Sequence, residues 1–301
     1  LPNVTLLCVE TRDPELAHWA IDRCLAGTRF AKVVLITNID LVKSKRPDIE
    51  YAQAPPIKST KDYSDLLLTG IDQYVEGSHV LVIQWDSFIT HPSFWRNKFL
   101  DYDYIGPVWP HHPETPVGNG GFSLRSVKLL QAIKRPEFIK RHPEDYCICV
   151  DNKDFLEKEC GIQFAPPEVA EQFAVERSEW HDAFGFHGFF NFGRVLSDEE
   201  LTEFLKMIPN SYLRGVDAYD LVDYLISNNK FDLALSISSR VQFTWKLRYR
   251  YILMKIKIAA KSFYFCRNHA ISGKRRIVTA CCCSKCRSTL LLDHQTLSDP
   301  F

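Results

Sequence analysis

No window of this 301-residue chain holds the 18 or more uninterrupted apolar residues that a membrane-spanning helix needs, and no early charged-then-apolar segment reads as a signal. The expectation is a cytoplasmic protein whose membrane contact, if it makes any, is peripheral. A G-x-G-x-x-G turn after a first strand is missing, as is a glycine loop followed by Lys and Ser or Thr, which excludes the dinucleotide fingerprint and the P-loop. There is no internal repeat of fixed period. An extracellular disulfide framework is also lacking, because Cys8, Cys24, Cys147, Cys149 and Cys160 are scattered through apparent strands and helices; they read as reduced and mostly buried. Cys281, Cys282, Cys283 and Cys286 cluster in a basic tail with one C-x-x-C spacing and no second pair at a zinc-finger distance, so loose thiols and lipidation are the two readings. Finally, Arg240–Arg287 contains no Asp or Glu against thirteen Lys and Arg, although the whole chain has zero formal charge. That asymmetry is the main compositional signal.

What is present reads as one α/β domain followed by a smaller helical region. Val4 to Val9 is an apolar strand, Pro14 to Leu25 carries helix-spaced Leu16, Trp19, Ala20 and Ile21, and Ala31 to Thr37 is a second strand. This order is a βαβ unit and implies a parallel pair. A helix from about Tyr63 to Val75 and a strand ending at Asp86 follow, giving three parallel strands before residue 90. Beyond them the pattern predicts a short helix over His91 to Phe99, an extended Tyr102 to Trp109, a turn and strand over Gly118 to Leu124, and helices from Val127 and Glu144. Short strands are expected at Ile162 to Phe164 and Phe173 to Val175. The first domain is set at 1–194. A helical region over 195–272 contains a serine-capped helix from Ser197, a helix pair over Val216 to Ile226 and Lys230 to Ser238, and the basic stretch Val241 to Phe265. Residues 273–301 read as a disordered tail.

The strongest local signal is Val80 to Ile89, where a fully apolar run stops at Gln84-Trp85-Asp86-Ser87. A carboxylate at the C-terminal rim of a parallel sheet sits where open α/β folds bind ligands. A capping role after a strand would account for any single such Asp equally well. The turn Gly118-Asn119-Gly120-Gly121 lets backbone approach a ligand closely, and Asn119 can donate and accept hydrogen bonds. Glu144 and Asp145 open a helix, where acids suit the dipole, but a carboxylate beside a sugar site is also the ordinary base for an acceptor hydroxyl. Asp145 is the first choice for that base and Glu144 the second. His187, among Phe184, Phe186, Phe189 and Phe190, is either a core histidine or a ligand for a divalent ion.

In order along the chain, Val9-Glu10-Thr11-Arg12, Gln84-Trp85-Asp86-Ser87, Tyr102-Asp103-Tyr104-Ile105-Gly106-Pro107, Gly118-Asn119-Gly120-Gly121-Phe122-Ser123-Leu124-Arg125-Ser126, Pro143-Glu144-Asp145 and Phe184-Gly185-Phe186-His187 together resemble domain of unknown function family 5672, which looks like a branch of the GT-A glycosyltransferases. The resemblance covers about residues 3 to 193. It implies a GT-A-like (Rossmann-like) mixed, mostly parallel sheet between helices, and transfer of a sugar from a nucleotide-diphosphate donor, UDP-sugar foremost, to a hydroxyl acceptor such as a glycan or a lipid-linked sugar. It places Glu10 and Arg12 at the nucleobase and ribose, Asp86 in the metal-binding strand-end motif, Asn119, Gly120 and Gly121 on the sugar side, Glu144 and Asp145 near the acceptor, and His187 as a further metal ligand for Mn²⁺ or Mg²⁺. Gln84 departs from the family plan, standing where the widespread Asp-x-Asp motif has its first Asp; an amide holds a hard cation less strongly. A non-catalytic carbohydrate- or nucleotide-binding module is the alternative, and a sugar-phosphate nucleotidyltransferase the next. For the basic C-terminal region, docking on an anionic membrane surface ranks above nucleic-acid binding, since no nucleic-acid fold surrounds Tyr249, Tyr251, Phe263 and Tyr264.

Overall fold

The computed structural model describes residues 1–271. By contact they form two compact units, one over Leu1–Asn191 and one beginning at Phe192. The tail expected from Gly273 and the Cys281 to Cys286 cluster lie outside the described residues.

In the first unit, Val4–Val9 (β1) is buried at every position, as a strand covered on both faces must be. Pro14–Leu25 (α1) follows, with Pro14 at its first turn and Glu15 beside it, where a fixed φ and a negative charge both favour a helix start. Lys32–Thr37 (β2) pairs parallel with β1, and Glu50–Gln53 (β3) pairs parallel with β2. Thr60–Thr69 (α2) is closed by a Ser59/Asp62 capping box. His79–Ile83 (β4) returns to the other side of β1, again parallel, in a register that sets Cys8 opposite Ile83. The chain then gives Ser87–Ile89 (β5), Tyr104–Ile105 (β6), Phe122–Ser126 (β7) and Val127–Ala132 (α3), followed by Glu144–Tyr146 (α4), Lys153–Cys160 (α5), Pro167–Phe173 (α6), Ala174–Val175 (β8) and Gly185–His187 (β9). The six-stranded sheet has the order β3-β2-β1-β4-β7-β6, with β7 antiparallel to both β4 and β6, and β5, β9 and β8 make a small second sheet. The expected mixed, mostly parallel α/β sheet with a helical region after it is therefore what the chain forms. Its core lies where Leu7, Val34, Val80 and Val82 meet Leu67 and Leu129 on the flanking helices. Cys8, Cys24, Cys147 and Cys149 are buried and free.

Several boundaries differ from the sequence reading. There are four parallel strands, not three: β3 reads Glu-Tyr-Ala-Gln with only Ala52 buried, so an edge strand carries no apolar run to detect. The strand read through to Asp86 stops at Ile83, and Gln84-Trp85-Asp86 is a turn from which β5 enters the other sheet. Gly70 ends α2, leaving a 3₁₀ turn at Asp72–Tyr74 where helix was expected to Val75. The short helix over His91 to Phe99 is two 3₁₀ turns, Pro92–Phe94 and Asn97–Asp101. The helix from Glu144 is interrupted by a π-turn over Cys147–Asp151.

The topology locates a cleft before any side chain is considered. From β1 the chain winds to β2 and β3 on one side, then crosses to β4 on the other. Connections leaving the C-terminal ends of β1 and β4 therefore diverge, which opens a crevice at that switch point. Glu10 follows β1 and Gln84 follows β4.

The second unit is helical: Phe192–Val195 (α7), Asp198–Met207 (α8), Gly215–Ser227 (α9), Phe231–Ser238 (α10) and Arg248–Ile271 (α11). Ser197 and Glu200 form the capping box expected for α8. α9 and α10 pack on each other across a turn in which Asn229 takes a positive φ of 60°. Among the described residues no helix is long and apolar enough to cross a membrane.

Candidate functional site

At the rim of β1, the buried Glu10 accepts the backbone N–H groups of Arg12 (2.8 Å) and Asp13 (3.2 Å) and closes the turn into α1. Arg12 Nε lies 3.6 Å from the same carboxylate, and more than half of the Arg12 side chain is exposed. Of this pair, then, Glu10 shapes the loop and Arg12 is the one within reach of a ligand.

At the rim of β4, the Gln84 N–H donates to Gly121 O (3.1 Å) and to Ser87 Oγ (2.9 Å), which fixes the turn. The Gln84 amide Nε2 donates to the Tyr63 hydroxyl (2.9 Å), so its Oε1 points the other way and stands 3.2 Å from His187 Nε2. Asp86 is buried; its Oδ2 accepts the Phe189 N–H (3.2 Å), while its Oδ1 has no hydrogen-bond donor and lies 3.6 Å from His187 Nε2. His187 arrives on β9, which pairs antiparallel with β5 so that His187 faces Ser87.

The protonation pattern follows from the partners. His187 Nδ1 is 2.9 Å from Glu176 Oε1. Burial pushes the Glu176 carboxyl up, but the hydrogen bond and charge of His187 outweigh it and hold the group below its usual range. An ionised carboxylate can only accept, so His187 Nδ1 carries a hydrogen. The Asn119 amide nitrogen stands 3.0 Å from Nδ1, and since both carry hydrogens, Asn119 donates to Glu176 instead. His187 Nε2, Asp86 Oδ1 and Gln84 Oε1 therefore face one another. Either a proton on Nε2, bonded to Gln84 Oε1 beside Asp86, or a cation between the three atoms suits that arrangement. Imidazole, carboxylate and amide oxygen are together an acceptable donor set for a divalent ion, so the orphaned Asp86 oxygen fits the metal expected here. Among the described residues no three His, Cys, Asp or Glu side chains converge in this way; the third member is an amide.

The glycine turn is shaped by these groups. Asn119 has a φ of 73°, and its Oδ1 accepts the N–H groups of Gly121 (2.8 Å) and Phe122 (3.2 Å). Its side chain is thereby committed to the loop and to Glu176. A Cβ at Gly120 would stand 2.0 Å from Glu144 Oε1, and one at Gly121 2.2 Å from His187 Nε2. Gly121→Ala is therefore expected to displace the imidazole, lowering stability by about 1–3 kcal/mol and removing any metal-dependent ligand binding. Paired thermal melts with and without Mn²⁺ check this; an unchanged metal response would contradict the placement of His187.

The acidic pair divides into two environments. Glu144 is buried against Arg125, whose Nη2 lies 3.3 Å from Glu144 Oε1, and Ser64 Oγ donates to Oε2 at 3.4 Å. Burial pushes the Glu144 carboxyl up, and Asp145 adds to this while Arg125 opposes it. Asp145 is half-buried; its Oδ2 accepts the Gly120 N–H (3.2 Å) and its Oδ1 accepts the Tyr146 N–H (2.8 Å). Of the two acids, only Asp145 reaches open space beside the glycine turn. Two partners of the site went unread in the sequence, Glu176 and Arg125. Glu176 had a usable signal, since it follows the apolar Ala174–Val175 (β8) as Asp86 follows β4.

Residues 46–187 match the model of a family described as Protein of unknown function (DUF5672), the family that the motifs resemble. The match takes in Gln84, Asp86, the glycine turn, both acids and His187, and leaves Glu10 and Arg12 upstream. No curated protein matches the chain. Among solved structures, a glycosyltransferase involved in the glycosylation of the major capsid of PBCV-1 is similar at 10% identity over 61% of this chain and 92% of that one, with a TM-score of 0.39. Mannosyltransferase PcManGT from Pyrobaculum calidifontis, in complex with GDP-Man and Mn²⁺, is similar at 11% identity over 96% of this chain and 80% of that one, with a TM-score of 0.40. The apo form of the glycosyltransferase GlyE of Streptococcus pneumoniae TIGR4 shares 10% identity over 69% of this chain and 51% of its own, with a TM-score of 0.34.

Proposed function

We propose that this chain is a glycosyltransferase that moves a sugar from a nucleoside-diphosphate donor to a hydroxyl acceptor. The observation that carries the reading is the convergence of Asp86 Oδ1, His187 Nε2 and Gln84 Oε1 at the β1/β4 switch point, with Asp145 held across the Gly120 backbone. Asp86, His187 and Gln84 would hold a Mn²⁺ or Mg²⁺ ion, whose charge would neutralise the departing diphosphate. With Glu176 holding a hydrogen on His187 Nδ1, Nε2 is the nitrogen that would serve the ion. The Gly120 N–H orients the Asp145 carboxylate, which accepts the acceptor's hydroxyl proton as the new glycosidic bond forms and the bond to the diphosphate breaks. Attack aided directly by one carboxylate inverts the anomeric carbon.

The test is a thermal-shift screen of UDP-, GDP-, CMP- and dTDP-sugars with and without Mn²⁺, followed by assay of nucleoside-diphosphate release. A metal-dependent rise in melting temperature with one nucleotide, accompanied by turnover, is the expected result. A shift without turnover would identify a non-catalytic binding module instead. Within the reading, Asp145→Asn keeps the shape and one of the two backbone bonds but removes the base, so transfer is expected to fall by about 10²–10⁴-fold with the donor-induced melting shift unchanged. Parental turnover in this variant would remove Asp145 from the mechanism.

A further inference from the structure

A helix that packs one face on its neighbours ordinarily turns polar residues outward. α11 does not. Its inner face buries Met254 and Ile258, yet Tyr249, Ile252, Leu253 and Ile256 are each half or more exposed, and Trp245, in the 3₁₀ turn just before the helix, is 76% exposed. The spacing of the four helical residues places them on a single stripe. An exposed stripe with two aromatic rings at one end calls for an apolar occupant.

Charge selects which one. Arg240–Lys261 contains seven Lys and Arg and no acid. Four of these side chains are engaged within the second unit: Arg250 pairs with Asp220 (2.5 Å), Lys257 with Asp223 (2.7 Å), Lys255 donates to Ser238 O (2.9 Å), and Arg240 donates to Asn210 Oδ1 (2.7 Å). The remaining three, Lys246, Arg248 and Lys261, meet no acidic side chain among the described residues, and they lie at the two ends of the stripe. Arg248 instead stacks over the Tyr249 ring at 4.5 Å. An open cleft lined by Ile226, Lys257, Ala260 and Lys261 continues the same combination of apolar floor and ammonium groups. A second copy of the chain would bring like charges together across an isologous contact. A surface of anionic phospholipids offers both an apolar interior and a negative face. We infer that the second unit docks on an anionic membrane surface, with Trp245, Tyr249, Ile252, Leu253 and Ile256 inserted at the interface and Lys246, Arg248 and Lys261 on the headgroups. Trp and Tyr favour that depth, and the helix lies in the surface plane. This inference is independent of the activity proposed above.

The test is cosedimentation of the full chain with phosphatidylcholine vesicles, with and without about 30 mol% phosphatidylserine, and light scattering of the free protein. Binding is expected on the anionic vesicles alone, weakened in high salt, because exposed charges are screened. Ile256→Glu should lower it at least about tenfold, and Lys246→Glu combined with Arg248→Glu about as much, at roughly fivefold per cation removed. Both sets of positions are exposed, and parental melting curves confirm that the variants fold. No binding to anionic vesicles, or binding that neither variant weakens, would overturn the inference. So would a parent that is dimeric and an Ile256→Glu variant that is monomeric, since the stripe would then be a contact between copies.

Discussion

Asp86→Asn is expected to lower metal-dependent transfer by about a thousandfold, because a bound cation contributes several kcal/mol to a charged transition state and each 1.36 kcal/mol is tenfold in rate. The same change is expected to leave the melting temperature of the metal-free protein unchanged or slightly raised. Asp86 Oδ1 lacks a hydrogen-bond donor and faces His187 Nε2 at 3.6 Å. An Asn side chain can keep its oxygen on the Phe189 N–H while its NH₂ replaces the buried carboxylate oxygen that has no donor. Improved apo stability together with lost turnover is the signature of a group placed for a ligand and not for the fold. Asp86→Ala removes the acceptor for Phe189 N–H as well and should cost stability of about 1–3 kcal/mol. If Asp86→Asn melts well below the parent and transfers sugar normally in Mn²⁺, the residue is a backbone cap, and the metal assignment of Asp86, His187 and Gln84 is wrong.

How far the sequence led depended on whether a residue's environment is local or long-range. β1 and β4 were legible because strands buried on both faces are continuous apolar runs, and Asp86 was found because it ends such a run. The same run misled about the boundary. Ser87, Phe88 and Ile89 are as buried as β4 itself, and although the polar Gln84 and Asp86 mark an end to the run, nothing in the composition shows that the chain there leaves one sheet for another. Edge strand β3 was silent for the opposite reason, having too little buried surface to leave a pattern. At the site, residue types were easier to find than their partners. Glycine at 120 and 121 reads as a flexible turn, whereas the structure requires glycine there because Glu144 and His187 occupy the space of the missing side chains. Asn119 reads as a sugar-facing amide but is occupied with its own loop and Glu176. The Glu144–Asp145 pair could not be divided in sequence at all. Only the fold shows that Arg125, nineteen residues earlier, claims Glu144.

That claim gives the largest stability effect expected in the molecule. Arg125 sits on β7 with no exposed surface, its Nε donating to Ser123 Oγ (3.0 Å), its Nη2 donating to Glu144 and its guanidinium 5.7 Å from the Tyr104 ring centroid. Arg125→Met removes the cation and leaves a buried carboxylate next to Asp145. Breaking a buried pair by one partner costs about 3–5 kcal/mol, which corresponds to a fall of about 10 °C for a unit of this size. The loss should depend on pH. Burial already pushes the Glu144 carboxyl up, and without Arg125 it rises further. A carboxyl whose folded-state pKa exceeds its unfolded value of about 4.3 contributes full stability below that value and loses it as pH rises through the folded pKa. The gap between parent and variant is therefore expected to be small near pH 4 and widest above neutrality, as read from paired melts across that range. Replacing both partners by apolar residues, Arg125→Met with Glu144→Leu, should recover most of the loss, because no uncompensated charge remains. If the double variant is as unstable as the single one at every pH, Arg125 supports the sheet by packing against Tyr104 and its charge does not matter. Recovery at neutral pH would instead show that Arg125 compensates the Glu144 charge.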